Sequence, residues 1–142
     1  MSGPPAASLA AMYQETLLAH YRAPQNRRVL ADATARGAHR NPLCGDDLEV
    51  AVRCDGDLLT EVAFQGRGCS LATASASLLT EAVRGLTVRD ARALADAVDA
   101  MLEGDASVSL PAALDPLRSV APFPARHGCV RMAWQALRGA LG

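Results

Sequence analysis

The sequence predicts an α+β domain in which a small antiparallel sheet of about three strands carries helices on one face. Apolar and polar residues alternate from Asp47 to Gln65 around an Asp55-Gly56 turn, the pattern of a hairpin with one buried side. On both flanks of that stretch the apolar spacing changes to the three-and-four repeat of amphipathic helices. Helix, then strands, then helices is an order that collects the helices on one face and leaves the other face wet.

Met1 to about Ser8 is small, polar and proline-bearing, and reads as a disordered tail ahead of one domain spanning 9–142. Leu9, Met12, Tyr13, Leu17 and Tyr21 share a helix face, and Pro24 ends the helix. Thr34 to Arg40 supplies an edge strand before Pro42. Leu48, Val50, Val52 and Cys54 point inward from the next strand, and Thr60, Val62 and Phe64 from the returning one. The helix after Cys69 carries small residues from Ala72 to Ser77 that permit close packing, and Gly85 stops it. Thr87 with Asp90 forms a capping signal for a further helix that runs to Gly104. Pro111, Pro116 and Pro122 limit the following stretch to short helical turns, with Leu110, Leu114 and Leu117 folded onto the core. Val130, Ala133, Trp134, Leu137 and Leu141 mark the apolar side of the last helix.

With 142 residues, half of them hydrophobic, the chain can bury a core without disulfides. Its four cysteines are too sparse for a secreted scaffold, and neither a leader nor a membrane-spanning run is visible, so a reducing cytoplasm is expected and no membrane partner. All fourteen cations are arginine, scattered in a chain of net charge −1, which argues against nucleic acid as a partner.

Cys44, Cys69 and Cys129 each sit where a segment begins: Asn41-Pro42-Leu43-Cys44-Gly45-Asp46 turns into a strand, while Gly66-Arg67-Gly68-Cys69 and Arg126-His127-Gly128-Cys129 open helices. A thiol at a helix start feels unpaired backbone N–H groups that favour thiolate. Intervals of 25 and 60 residues give no CxxC pair, so two readings stand, a shared metal or thiol site and separately buried cysteines. Asp46, placed on the side of Cys44 by strand alternation, either completes a Cys3Asp set suited to tetrahedral zinc, to iron or to an iron–sulfur cluster, or is a hydrated surface aspartate. Cys54 shares an apolar strand face and reads as a small buried hydrophobe. His20 reads as a surface or core-edge residue, His39 falls in the edge strand, and His127 is either a swinging ligand or a solvated loop residue. Arg126 either steadies a sulfur anion or is plain surface charge.

These residues resemble the U-type iron–sulfur assembly proteins, the IscU and SufU family, from about Leu9 to Leu141. The likeness rests on His20-Tyr21-Arg22-Ala23-Pro24-Gln25-Asn26, on the three cysteine motifs, on Ala74-Ser75-Ala76-Ser77, and on Phe123-Pro124-Ala125-Arg126 ahead of Cys129 and Ala133-Trp134. It is nearer the SufU branch, because IscU scaffolds carry a histidine immediately before the third cysteine, where this chain has Gly128, and because Asp105 to Pro122 looks like the SufU insertion. The branch's frequent lysine at that place is also missing, and Arg28 replaces a family glycine.

The resemblance implies a SufU/IscU-like fold and zinc held by Cys44, Asp46, Cys69 and Cys129. It also implies a sulfurtransferase-like carrier that takes sulfur from a SufS-type, PLP-dependent cysteine desulfurase and delivers it to a downstream Suf-type scaffold complex. Cys44 is the expected sulfur acceptor, with Cys129 as runner-up and Arg126 in support. The alternative implied by the same family is a scaffold that binds a labile iron–sulfur cluster, or iron, through the same cysteines.

Overall fold

The computed structural model describes residues 6–43 and 45–142. Its element order is α1 (Ala6–Arg22), β1 (Ala35–Arg40), β2 (Asp47–Asp55), β3 (Leu58–Arg67), α2 (Ser70–Val83), α3 (Val88–Leu102), a 3-10 segment (Ala112–Val120), a short 3-10 turn (Pro124–Arg126) and α4 (His127–Leu141). The sheet is antiparallel in the order β1-β2-β3. The expected α+β class and three-stranded sheet are therefore present, with α2 and α4 on the inner face.

Inward residues Leu48, Val50 and Val52 of β2 and Leu59, Val62 and Phe64 of β3 are fully buried against α2 and α4, where Leu79, Val83, Trp134 and Leu137 close the core. The inward position expected for Thr60 belongs to Leu59. Register shifts between Arg53 and Cys54, so Arg53 faces Glu61 while Cys54 faces Leu59. Thr60 is the extra residue of this bulge, exposed, with its hydroxyl donating to the Arg53 carbonyl at 3.0 Å.

The outer face is only partly wet, contrary to the sequence expectation. The segment after α1 lies along β3: Phe64 N–H donates to the Asn26 carbonyl at 3.0 Å and Arg28 N–H to the Phe64 carbonyl at 3.1 Å. Leu30 is thereby buried against Ala51 and Ala63 in a second small cluster, beside ion pairs of Glu61 with Arg28 and Arg53. At the other end of the outer face Arg40, Asp47 and Arg67 remain exposed.

Two other expectations change. The helical spacing at the N-terminal end extends further than read, since α1 begins at Ala6 and takes in residues assigned to the tail; residues 1–5 lie outside those described. The α1 stripe also stays shallow: Tyr13 and Leu17 are half-buried, while Leu9, Met12 and Tyr21 are exposed. The cause is placement, because α1 packs beside α2 and the 3-10 segment instead of over the sheet.

Helix α2 is the hub. Ten of its residues are buried, including Thr73, Ser75, Ser77 and Thr80. Buried hydroxyls must find partners, and these tie neighbouring elements to α2. Ser75 donates to the Val130 carbonyl at 2.9 Å, pinning the first turn of α4. Ser77 Oγ accepts the Gln25 N–H at 2.7 Å and meets His20 Nδ1 at 2.7 Å. Asn26, held at φ 58°, donates from Nδ2 to Thr80 Oγ1 at 3.0 Å. The motif from His20 to Asn26 is thus the clasp between α1 and α2, and His20 is the core-edge residue that its position in the sequence suggested. Thr87 caps α3 as expected, accepting the Asp90 N–H at 3.1 Å. Asp99 of α3 then pairs with Arg131 at 3.1 Å and Arg138 at 2.8 Å on α4.

Helix α4 crosses β1 so closely that Gly37 has no room for a side chain: a Cβ there would collide with the Ala136 carbonyl and the Ala140 amide, and would lie 2.8 Å from the Gly139 carbonyl carbon. Gly37→Ala is expected to cost roughly 3 kcal/mol, the upper range of overpacking, because the obstruction is backbone; denaturant unfolding measures it. Burial lowers the His20 pKa below 6.5, with Glu81 opposing. A depressed folded-state value means that the unfolded chain binds the proton more readily, so this contribution is complete above pH 6.5 and fades as pH falls. Unfolding experiments between about pH 5 and about pH 8 should show stability rising toward neutrality, and His20→Gln should flatten that rise.

Candidate functional site

The loop between β1 and β2 is closed by one residue, Asn41. Its N–H donates to the Asp46 carbonyl at 2.8 Å, its carbonyl accepts the Gly45 N–H at 2.8 Å, and its side-chain oxygen accepts the Leu43 N–H at 3.0 Å. Gly45 sits at φ 75°, a conformation that glycine adopts without strain. Cys44, the expected sulfur acceptor and metal ligand, belongs to this loop and lies outside the described residues.

Asp46 precedes β2, so strand alternation does not set its direction. A hydrogen bond does: Asp46 Oδ2 accepts the backbone N–H of Cys69 at 2.9 Å. This bond joins the hairpin loop to the start of α2 and leaves the other carboxylate oxygen for a further partner.

Cys69 is the N-cap of α2, with extended backbone (φ −63°, ψ 173°), and its Sγ accepts the Ala72 N–H at 3.4 Å. The thiol is exposed at the positive end of the helix. Cys129 stands at a helix start, as the sequence suggested: it is the third residue of α4, half-buried within the first turn. The Ser75 bond to Val130 fixes that turn against α2.

Cys69 and Cys129 open onto one cavity of about 640 Å³, walled by Leu17 and Leu18 of α1, Leu71 of α2, Val120 and Phe123, with Arg126 at its edge. Asp46 and Cys69 are therefore hydrogen-bonded neighbours, and Cys69, Cys129 and Arg126 share a space. Arg126 makes no ion pair among the described residues; its guanidinium lies over the Phe123 ring, 5.1 Å from the centroid.

Cys54 stands apart. Eight residues of extended chain past Asp46 amount to about 26 Å, and there the half-buried thiol packs on the core, its pKa raised by desolvation. His127 fits neither reading proposed for it: half-buried, its Nε2 bonds the Ala121 carbonyl at 2.9 Å, which requires the proton on Nε2. His39 lies in β1, opposite Leu48.

Among the described residues no three of His, Cys, Asp and Glu form a metal-holding group. Two thiols on one cavity, with a carboxylate hydrogen-bonded to the backbone of one of them, are nevertheless donor types that zinc accepts. Phe123 and the α1 wall escaped sequence reasoning, although an aromatic three residues before Arg126 was a usable sign of stacking.

The family description "NifU-like N terminal domain" matches residues 12–141. The chain is 34% identical over 134 residues to the zinc-dependent sulfurtransferase SufU of Bacillus subtilis, covering 92% of this chain and 90% of that one. It is 36% identical over 133 residues to the iron–sulfur cluster assembly scaffold protein IscU of Streptococcus pyogenes, covering 92% and 82%. Among solved structures, a putative iron–sulfur cluster assembly scaffold for the SUF system from Fervidobacterium islandicum superposes with a TM-score of 0.83 at 25% identity, covering 93% of this chain and 98% of that one. No described helix is long and apolar enough to cross a membrane. With the fold and the sequence likeness in agreement over nearly its whole length, the chain belongs to the NifU-like N-terminal domain family, the IscU/SufU proteins of iron–sulfur cluster assembly.

Proposed function

We propose that the chain is a zinc-dependent sulfur carrier of the cytoplasm. It takes persulfide sulfur from a SufS-type, PLP-dependent cysteine desulfurase and passes it to a Suf-type scaffold complex. Cys44, Asp46, Cys69 and Cys129 are the proposed ligands. Bound zinc would hold the thiols as thiolates at neutral pH. The observation that carries the reading is the convergence of Cys69 and Cys129 on one cavity, with Asp46 bonded to the Cys69 backbone. The name of the Bacillus subtilis relative supports zinc and sulfur transfer.

Cys44 is the proposed acceptor. In the sequence it stands between Pro42 and Gly45, whereas Cys69 and Cys129 are committed to helix starts tied to the core. Its thiolate would attack the outer sulfur of the donor's persulfide. A new S–S bond forms on Cys44, the donor's S–S bond breaks, and the donor sulfur departs as thiolate, with no net oxidation. Arg126, without a carboxylate partner at the cavity edge, is the cation available to the sulfur anions.

A cluster scaffold using the same cysteines is the second reading, supported by the likeness to a protein named as an IscU scaffold. Against it stand Gly128, where those scaffolds carry histidine, and the engagement of His127 with Ala121.

Elemental analysis of the purified protein should find one zinc per chain. Mass spectrometry after incubation with a desulfurase and cysteine should place persulfide on Cys44. A folded Cys44→Ala variant that still stimulates the desulfurase and carries persulfide normally would remove Cys44 from the role. A stable, transferable chromophore after anaerobic iron and sulfide reconstitution would favour the scaffold. Because the core around Trp134 is complete without these ligands, chelation should abolish sulfur acceptance while far-ultraviolet circular dichroism stays unchanged. Unfolding on chelation would instead make the metal purely structural.

A further inference from the structure

We infer that Phe123 is a positioning residue, which holds the Arg126 guanidinium over the cavity shared by Cys69 and Cys129 so that it receives a sulfur anion. The inference rests on the sulfur-carrier reading and adds the device that orients its cation.

Phe123 is a large aromatic left half exposed, whereas Trp134 and Phe64 are fully buried. The Arg126 guanidinium lies over its face, 5.1 Å from the centroid. The intervening backbone makes this arrangement stiff. Pro124 opens a single 3-10 turn, and Arg126 N–H donates to the Phe123 carbonyl at 2.9 Å, which returns the arginine to the side of the ring.

Both side chains line the cavity, and among the described residues no acidic one does. Most other arginines here are neutralised: Arg28, Arg36, Arg53, Arg84, Arg89, Arg118, Arg131 and Arg138 all pair with carboxylates. Arg126 instead has an aromatic partner, which restrains the guanidinium without cancelling its charge or occupying its in-plane N–H donors. That is the arrangement of an anion receptor awaiting its anion.

The anion arises in the transfer itself. When the acceptor thiolate forms its S–S bond, the electron pair of the breaking bond leaves on the donor sulfur, and Arg126 stabilises that departing thiolate. A protein persulfide and a small polysulfide share this chemistry, since both release an anionic sulfur for the guanidinium to stabilise.

The test compares zinc-loaded wild type, Phe123→Leu, Phe123→Trp and Arg126→Lys. In wild type, nuclear magnetic resonance should show Arg126 side-chain protons displaced upfield by the Phe123 ring, and thiosulfate should perturb them further. Phe123→Leu should lose the upfield displacement and weaken thiosulfate binding. It should also slow sulfur transfer about four-fold, the size of a half-exposed cation–π contact, from both a desulfurase persulfide and inorganic polysulfide. Phe123→Trp should restore all of these, and Arg126→Lys should mimic Phe123→Leu. Equal transfer rates in wild type and Phe123→Leu would overturn the inference. So would slowing with the desulfurase alone, because Phe123 would then be a docking contact with no action through Arg126. If wild type accepts no sulfur from either donor, the sulfur-carrier reading fails, and the thiosulfate titration still decides whether Phe123 orients Arg126 toward anions.

Discussion

The close packing of α2 on three sides is the constraint on which the rest of the molecule depends. A helix buried nearly all round must be built from small residues, and Ala72 to Ser77 meet that requirement. Where the small residues are serine or threonine, burial obliges each hydroxyl to find a partner. Ser75 finds the first turn of α4, and Ser77 and Thr80 find the turn that ends α1. At the N-terminus of the same helix the Cys69 amide finds Asp46 of the β1–β2 loop. One helix therefore ties together the end of α1, the β1–β2 loop and the first turn of α4.

This arrangement explains how residues far apart in sequence become neighbours without a short ligand motif. Cys69 is carried by the hub itself and Cys129 by the helix that Ser75 pins to it. Asp46 is drawn to the hub by a carboxylate bond to a helix N-terminal amide, where negative charge is favoured. Metal binding would then draw on positions that the apolar core has already set, in contrast to small domains that fold only around their metal.

Much of this was legible in the sequence because it followed from periodicity and turn chemistry. Alternation around Asp55-Gly56 gave the hairpin, and Thr87 with Asp90 gave the start of α3. The misreadings came where tertiary contacts override local pattern. Thr60 lost its inward place to Leu59 through a bulge, which alternation does not encode. The α1 stripe looked core-facing but meets α2 and the 3-10 segment instead of the sheet, and Leu30 covers an outer face that looked free. At the site, a hydrogen bond to the Cys69 amide sets the direction of Asp46, where strand alternation had been the expected cause. Phe123 was missed because Arg126 reads first as a charge, although the spacing of three that lets the two stack across the 3-10 turn is present in the sequence.

The central claim is that Cys44, Asp46, Cys69 and Cys129 together hold one zinc ion beside a cation left for sulfur. X-ray absorption at the zinc edge of the purified protein tests it most directly. The expected spectrum has three sulfur neighbours at about 2.3 Å and one oxygen neighbour at about 2.0–2.2 Å, with no imidazole scattering. Imidazole scattering, four sulfur neighbours, or an iron edge in place of zinc would contradict the account.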